Sequence, residues 1–186
     1  MKSQVKVKLG NKLPLKKKIK IGILGGTFDP AHKGHLSISK HAKIKFKLKY
    51  IIWAITKKNP LKKKSSLNLK ERILFSKKII KSNKFIKIKF YEDVIKSNKT
   101  IDLINHIKKN INLKIYFIIG ADNLLNFHKW HKWKSISQKC NILVFDRQGY
   151  RAKSLKSITF KRLNEKNLKY IKFKKVNISS SQLRKI

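Results

Sequence analysis

Short, almost wholly apolar runs alternate along this chain with longer stretches of mixed polarity. Four runs have the length and composition of strands buried on both faces of a sheet, and they span residues 19–26, 50–55, 114–120 and 141–146. Two further runs, 85–90 and 170–176, alternate apolar residues with lysine. This alternation predicts strands with one solvent-exposed face, and it favours a sheet edge for 85–90.

The stretches between these runs predict helices. Residues 33–48 fit an amphipathic helix only loosely, whereas Asn68 followed by Glu71 is typical of a capping box at a helix start. Thr100 is predicted to cap a third helix. The apolar positions of that helix are Ile101, Ile104 and Ile107. Strands alternating with helices predict an α/β fold with a Rossmann-like, doubly wound parallel sheet.

The sequence predicts a single domain over residues 19–186, preceded by a basic arm over residues 1–18. No run of about 18 apolar residues occurs, so we expect no membrane span. Cys140 is the single cysteine and cannot form an intrachain disulfide, which fits a reducing compartment. We therefore expect a cytoplasmic location.

The formal net charge of +41 has two interpretations. It could serve nucleic-acid binding, because Lys and Arg neutralise backbone phosphates. However, only five of the 49 basic residues are arginine and 44 are lysine, spread over every segment. A genome rich in A and T would produce such a composition without selection for a partner. We therefore expect no specific nucleic-acid partner, only a general attraction for anionic small molecules.

Three segments begin where an apolar strand is predicted to end, at residues 25–35, 56–66 and 120–133. In open parallel sheets, ligands bind beyond the carboxyl ends of the strands, near the point where strand order switches. The shared placement of these segments predicts one site.

The first segment contains the stretch GGTFDPAHKGHL, residues 25–36. Its glycines match neither G-x-G-x-x-G nor the P-loop. Glycines after a strand nevertheless let backbone N–H groups approach an anion, and a following helix N-terminus adds a favourable dipole. His32 and His35, three residues apart at the helix start, could face one point. Taken alone, the stretch allows an ordinary helix cap, a metal site or a phosphate cradle, and its position after a buried strand favours the cradle.

The same stretch resembles the signature of the nucleotidyltransferase superfamily named for its H-x-G-H motif. The second signature of that superfamily is matched by ISSSQLR, residues 178–184. Within the superfamily the sequence resembles the bacterial nicotinate-nucleotide adenylyltransferases. The matching features are His32 in the first motif, where phosphopantetheine adenylyltransferases usually carry Thr, and the segments 99–107 and 116–133.

The resemblance implies transfer of AMP from ATP to the 5′-phosphate of nicotinate mononucleotide, with release of pyrophosphate. It implies that His32 and His35 act on the α-phosphate and that Arg184 assists them on the triphosphate. The remaining residues implied to bind ATP are Gly25, Gly26, Thr27, Ser180 and Ser181. Mg²⁺ is expected to arrive bound to ATP, and the protein itself is expected to have no metal site.

For the nicotinate nucleotide, the resemblance implies that Trp130 stacks on the pyridine ring, next to His131. Thr100 would receive the nicotinate carboxylate, and Asp122 would contact a ribose or another polar group. The plainer alternatives are that Trp130 is a core residue and that Asp122 caps a helix.

The sequence leaves three other functions open. One is a related transferase that uses nicotinamide mononucleotide or phosphopantetheine. Another is a basic nucleic-acid-binding protein on the same fold. The third is a metal-binding module built on His32 and His35.

Overall fold

The computed structural model describes residues 17–58, 65–163 and 167–173. In this part of the chain six strands form one sheet: β1 (Ile19–Gly26), β2 (Tyr50–Ile55), β3 (Ile86–Phe90), β4 (Leu113–Gly120), β5 (Asn141–Phe145) and β6 (Leu168–Ile171). All neighbouring pairs are parallel, in the order β3-β2-β1-β4-β5-β6. The predicted doubly wound parallel sheet is confirmed.

Helices connect the strands. They are α1 (Lys33–Phe46), α2 (Leu69–Ile80), α3 (Glu92–Ile95), α4 (Thr100–Lys108), α5 (Ala121–Asn126), α6 (Trp133–Lys139), α7 (Arg151–Leu155) and α8 (Ile158–Arg162). A short 3-10 turn, Phe127–Lys129, follows α5. No helix among the described residues is long and apolar enough to cross a membrane.

Two apolar cores lie on opposite faces of the sheet. Alternate side chains of β4 separate between them: Phe117 joins the core under α4, α5 and α6, whereas Ile118 joins the core under α1 and α2. Gly22 lies in the middle of β1, where a Cβ atom would come within 2.9 Å of the Ile51 side chain. This close packing explains a glycine in a buried strand.

Most of the predicted elements are confirmed. The four apolar runs form β1, β2, β4 and β5 within one residue of the expected limits, and the alternating run at 85–90 forms the edge strand β3. The capping box at α2 is present, since the Glu71 N–H donates to Asn68 Oδ1 (3.0 Å) and the Asn68 N–H to Glu71 Oε2 (2.8 Å).

Two predictions about element limits are wrong. The last strand covers Leu168–Ile171 rather than starting at residue 170, and residues 174–176 lie outside the described residues.

The predicted cap of α4 is the second. Thr100 is the first residue of α4 and does not cap it; Lys99 occupies the N-cap position without a side-chain bond. The Ser97 hydroxyl serves that end instead, because it accepts the Lys99 N–H (3.1 Å) and donates to Asp102 (2.6 Å). Of the predicted basic arm, residues 1–16 lie outside the described residues.

Candidate active site

The strand order switches between β1 and β4, which are neighbours in the sheet but distant in the chain. The carboxyl ends of these strands, together with that of β5, carry the glycines of the first motif, Asp122 and Arg147. This is the place where open α/β sheets bind ligands. Three strand ends therefore contribute polar groups to one edge of the sheet.

The glycines of the first motif end β1, and the left-handed residue of the following turn is not a glycine. Gly25 and Gly26 are the last two residues of the strand, and the positive φ of 49° falls on Phe28. The buried Phe28 ring stacks on Trp53 with centroids 5.0 Å apart, which holds this conformation. A Cβ atom at Gly25 would meet the Phe117 ring at an ordinary 3.7 Å, so packing alone does not require glycine there. Thr27 is half-buried in the same loop.

His32 and His35 together cap helix α1. The Gly34 N–H donates to His32 Nδ1 (3.1 Å), and the His32 N–H donates to His35 Nδ1 (3.2 Å). The two rings lie against each other, with centroids 3.9 Å apart. This is a capping box in which imidazoles replace the usual hydroxyl and carboxylate. The helix-cap and phosphate-cradle interpretations of these histidines are therefore compatible, because capping uses only one nitrogen of each ring.

The environment of His32 keeps its ring neutral. Burial, reinforced by the positive charge of Arg147, lowers the pKa of His32 to about 4. Since Nδ1 accepts a hydrogen bond, the neutral ring carries its proton on Nε2. His32 is thus a neutral N–H donor at physiological pH.

Arg147 is a candidate site residue that was not predicted from the sequence. Its Nη1 lies 2.6 Å from Asp122 Oδ2, so an ion pair joins the carboxyl ends of β4 and β5. Asp122 occupies the first turn of α5, but Gly120 is the N-cap residue and makes no side-chain bond. The signal was available: Arg147 is one of only five arginines and directly follows a predicted buried strand.

Two buried charged residues tie the surrounding loops together. The Asp29 carboxylate accepts the Ser66 N–H (2.8 Å) and the Leu67 N–H (3.0 Å). Arg72, also buried, donates to main-chain carbonyls of the loops after β1 and β2. Burial lowers the pKa of Arg72, and the negative charges of Asp29 and Glu92 oppose that shift. Arg72 was not predicted from the sequence, because it lies inside an ordinary amphipathic helix.

The residues predicted to bind the nicotinate nucleotide lie in two other segments. Trp130 is half-buried and packs on Phe127 (centroids 5.0 Å apart) and Phe117 (6.1 Å), so its ring is anchored in the core with part of its surface exposed. His131 is exposed, and Thr100 is half-buried at the start of α4. Their contacts with a substrate stay predictions.

Ser180, Ser181 and Arg184, predicted from the second motif, lie outside the described residues. Within residues 17–58, 65–163 and 167–173, no group of three or more His, Cys, Asp or Glu side chains is arranged to hold a metal ion.

Comparison with known proteins defines the class to which this fold and site belong. Residues 23–186 match the model of the cytidylyltransferase-like family, and the chain belongs to that family. It is 69% identical over 170 residues to the probable nicotinate-nucleotide adenylyltransferase of Pelagibacter ubique (strain HTCC1062), which covers 91% of this chain and 94% of that protein. It is 37% identical over 131 residues to the protein of the same name in Bradyrhizobium sp. (strain ORS 278), covering 69% and 68% of the two chains. Within the family, the chain groups with the nicotinate-nucleotide adenylyltransferases, as the resemblance implied.

Solved structures share the fold. The Plasmodium falciparum nicotinic acid mononucleotide adenylyltransferase complexed with NaAD superimposes with a TM-score of 0.72 at 22% identity, covering 90% of this chain and 83% of that one. The same enzyme complexed with APC gives a TM-score of 0.73 over the same coverage.

Proposed function

We propose that this protein transfers AMP from ATP to nicotinate mononucleotide, forming nicotinate adenine dinucleotide and pyrophosphate. The observation that carries the proposal is the His32–His35 pair at the switch point of the sheet, in a chain 69% identical to a relative named for this activity.

In this reaction a 5′-phosphate oxygen of nicotinate mononucleotide attacks the α-phosphorus of ATP. The bond from that phosphorus to the bridging oxygen breaks, and pyrophosphate leaves with the electron pair. The nucleophile is already ionised at neutral pH, so no residue has to remove a proton. The protein contributes positioning and charge stabilisation instead.

The donors of the first motif suit that task. The neutral His32 would donate from Nε2–H to the α-phosphate region, with His35 beside it. Gly25, Gly26 and Thr27 would offer backbone and hydroxyl donors to the phosphates. Arg147 adds a positive charge close enough to lower the pKa of His32, and it would also favour the charge that develops on the departing pyrophosphate. Ser180, Ser181 and Arg184 complete the proposed triphosphate site.

The acceptor would be bound by the residues that the resemblance implies. Trp130 would stack on the pyridine ring beside His131, and Thr100 would receive the carboxylate. Asp122 would contact a ribose or another polar group while it stays paired with Arg147.

The donor set fits a Mg²⁺ ion that ATP carries. Asp29, within the first motif, bonds main-chain N–H groups, and Asp122, after β4, pairs with Arg147. The triphosphate, and not the protein, would thus supply most of the Mg²⁺ ligands. The metal would in turn neutralise the charge of the triphosphate. We place the reaction in the cytoplasm, since the single cysteine suits a reducing compartment.

The test is a substrate panel. Purified protein receives ATP and Mg²⁺ with nicotinate mononucleotide, nicotinamide mononucleotide or phosphopantetheine, and pyrophosphate and the dinucleotide product are both measured. We expect the highest kcat/KM with nicotinate mononucleotide. A higher kcat/KM with nicotinamide mononucleotide or phosphopantetheine would make that compound the substrate instead. If none of the three acceptors led to pyrophosphate release, the proposed enzymatic function would be overturned.

A further inference from the structure

A buried guanidinium lies beneath the loops that follow β1 and β2. Arg72, in the first turn of α2, is only 2% exposed. Its Nη1 donates to the carbonyls of Thr27 and Thr56, each at 2.7 Å. Its Nη2 donates to the Lys57 carbonyl (3.1 Å) and its Nε to the Leu67 carbonyl (3.2 Å). One side chain thus holds three loop segments by four main-chain acceptors.

These bonds fix the direction of peptide groups, not only the position of the helix. In a trans peptide, the carbonyl of one residue and the N–H of the next point in opposite directions. Because the Thr56 carbonyl faces Arg72, the Lys57 N–H faces the other way, and it donates to the Glu92 carboxylate (3.2 and 3.3 Å). By the same geometry, the Phe28 N–H points away from Arg72, because the Thr27 carbonyl faces it.

Acidic side chains complete the arrangement from two sides. Asp29 accepts the N–H groups of Ser66 and Leu67, on the segment whose Leu67 carbonyl binds Arg72. Glu92, at the start of α3, accepts hydrogen bonds from the Thr56 hydroxyl and the Lys57 N–H. The loops after β1 and β2 are therefore joined to each other and to the starts of α2 and α3.

We propose that Arg72 is a positioning residue for AMP transfer: it holds the phosphate loop of Gly26–Asp29 and the neighbouring loop of Thr56–Lys58 in one arrangement, and the donors of the phosphate loop depend on it. This inference rests on the proposed function. Arg72 is not expected to bind substrate itself, because it is buried and four of its five N–H donors are used by main-chain carbonyls. Its contribution is preorganisation, since a displacement of donors by about 1 Å at a reacting centre costs on the order of 100-fold in rate.

A purely structural role makes a different prediction. If Arg72 only docked α2, its replacement would lower the folded fraction and leave the turnover of each folded molecule unchanged. If Arg72 bound ATP directly, its replacement would mainly raise the KM for ATP. A positioning role lowers kcat in folded protein and changes both KM values little.

The test uses three variants of the full chain. Arg72→Met removes all four bonds. Arg72→Lys places an ammonium group that can reach the Thr27 and Thr56 carbonyls but cannot replace the planar fork. Ser76→Ala is the matched control, since Ser76 is buried one turn further along α2 and its hydroxyl donates to the Arg72 carbonyl (2.7 Å). Kinetics are measured for ATP and nicotinate mononucleotide, and amide hydrogen exchange is followed in peptides covering 26–29, 56–58 and 65–68.

We expect Arg72→Met to lower kcat about 100-fold with each KM changed less than fivefold, and to speed exchange in the three loop peptides. Arg72→Lys should fall between wild type and Arg72→Met, and Ser76→Ala should stay within threefold of wild type. Folded Arg72→Met with wild-type kcat or unchanged loop exchange would overturn the proposal. If Arg72→Met does not fold, wild-type kcat in Arg72→Lys would overturn it. Failure of the proposed function is distinguishable, because the wild-type protein would then transfer no AMP to nicotinate mononucleotide while loop exchange would still respond to Arg72.

Discussion

The imidazole of His32 lies against that of His35, with ring centroids 3.9 Å apart, and both rings accept backbone N–H groups through Nδ1. In its neutral form each ring therefore carries its proton on Nε2. Capping the helix and donating to a phosphate thus use different atoms of the same side chains, so the two tasks can be separated by substitution.

The catalytic task of His35 is tested by comparing His35→Ala with His35→Gln. Both variants lack the imidazole, and we expect turnover to fall by about 100- to 1,000-fold in each. Gln at this position can still accept the His32 N–H, as in the usual capping box. Denaturant unfolding should therefore show a loss of about 1 kcal/mol for His35→Ala and a smaller loss for His35→Gln. Near-normal turnover in either variant would contradict the phosphate role.

Acid should destabilise the fold through His32. Its pKa is about 4 in the folded protein and about 6.5 when unfolded. Between these values the unfolded chain binds a proton that the folded protein excludes, so stability is lost as pH falls from about 6.5 to about 4, by at most about 1 kcal/mol per pH unit.

The matched variant for this prediction is His32→Asn, because Asn is a good N-cap and can accept the Gly34 N–H without titrating. Urea unfolding at pH 7 and pH 5 should show a smaller pH dependence in His32→Asn than in wild type. Equal pH dependence in the two proteins would show that His32 is not the responsible group.

Gly22 and Gly25, both in β1, should respond differently to an added methyl group. In Gly22→Ala, the added Cβ lies 2.9 Å from Ile51, 3.1 Å from Leu48 and 3.2 Å from Ile118, so we expect a loss of about 1–3 kcal/mol in unfolding free energy. In Gly25→Ala, the Cβ meets Phe117 at an ordinary 3.7 Å, and stability should stay within about 1 kcal/mol of wild type.

Measuring the turnover of Gly25→Ala distinguishes the proposed role of Gly25 in ATP binding from its role in packing. If the main chain at Gly25 approaches the ATP phosphates, Gly25→Ala should lose activity while it keeps its stability. Full activity in a stable Gly25→Ala protein would remove Gly25 from the proposed ATP site.

Trp130 and Trp133 offer a matched pair for the acceptor site. Both pack against Phe127, with centroids 5.0 and 6.4 Å away. Stacking of a ring on an aromatic side chain contributes about 1–3 kcal/mol, so Trp130→Leu should raise the KM for nicotinate mononucleotide about tenfold and leave that for ATP nearly unchanged. Trp133→Leu should change stability alone. A similar rise in KM for both variants would mean that the effect comes from the aromatic core and not from stacking on substrate.

Much of the fold is predictable from local pattern because a strand buried on both faces must be apolar throughout. This requirement identified β1, β2, β4 and β5 almost to the residue, and the lysine alternation identified β3 as an edge strand. The capping box of Asn68 and Glu71 was equally local. Thr100 failed as a cap because Ser97, three residues earlier, already satisfies the start of α4, and a cap preference does not show which of two nearby hydroxyls is used.

The sequence by itself determined the parallel α/β architecture, the family and the histidine pair, since these depend on periodicity and on short motifs whose members are close in the chain. Only the tertiary structure decided that Arg147 pairs with Asp122 across 25 residues and that Arg72 binds the Thr27 carbonyl across 45. It also decided that His32 is neutral, because its pKa depends on burial and on the Arg147 charge. Such properties arise from groups that meet only when strand ends converge at one edge of the sheet, and no local pattern records that meeting.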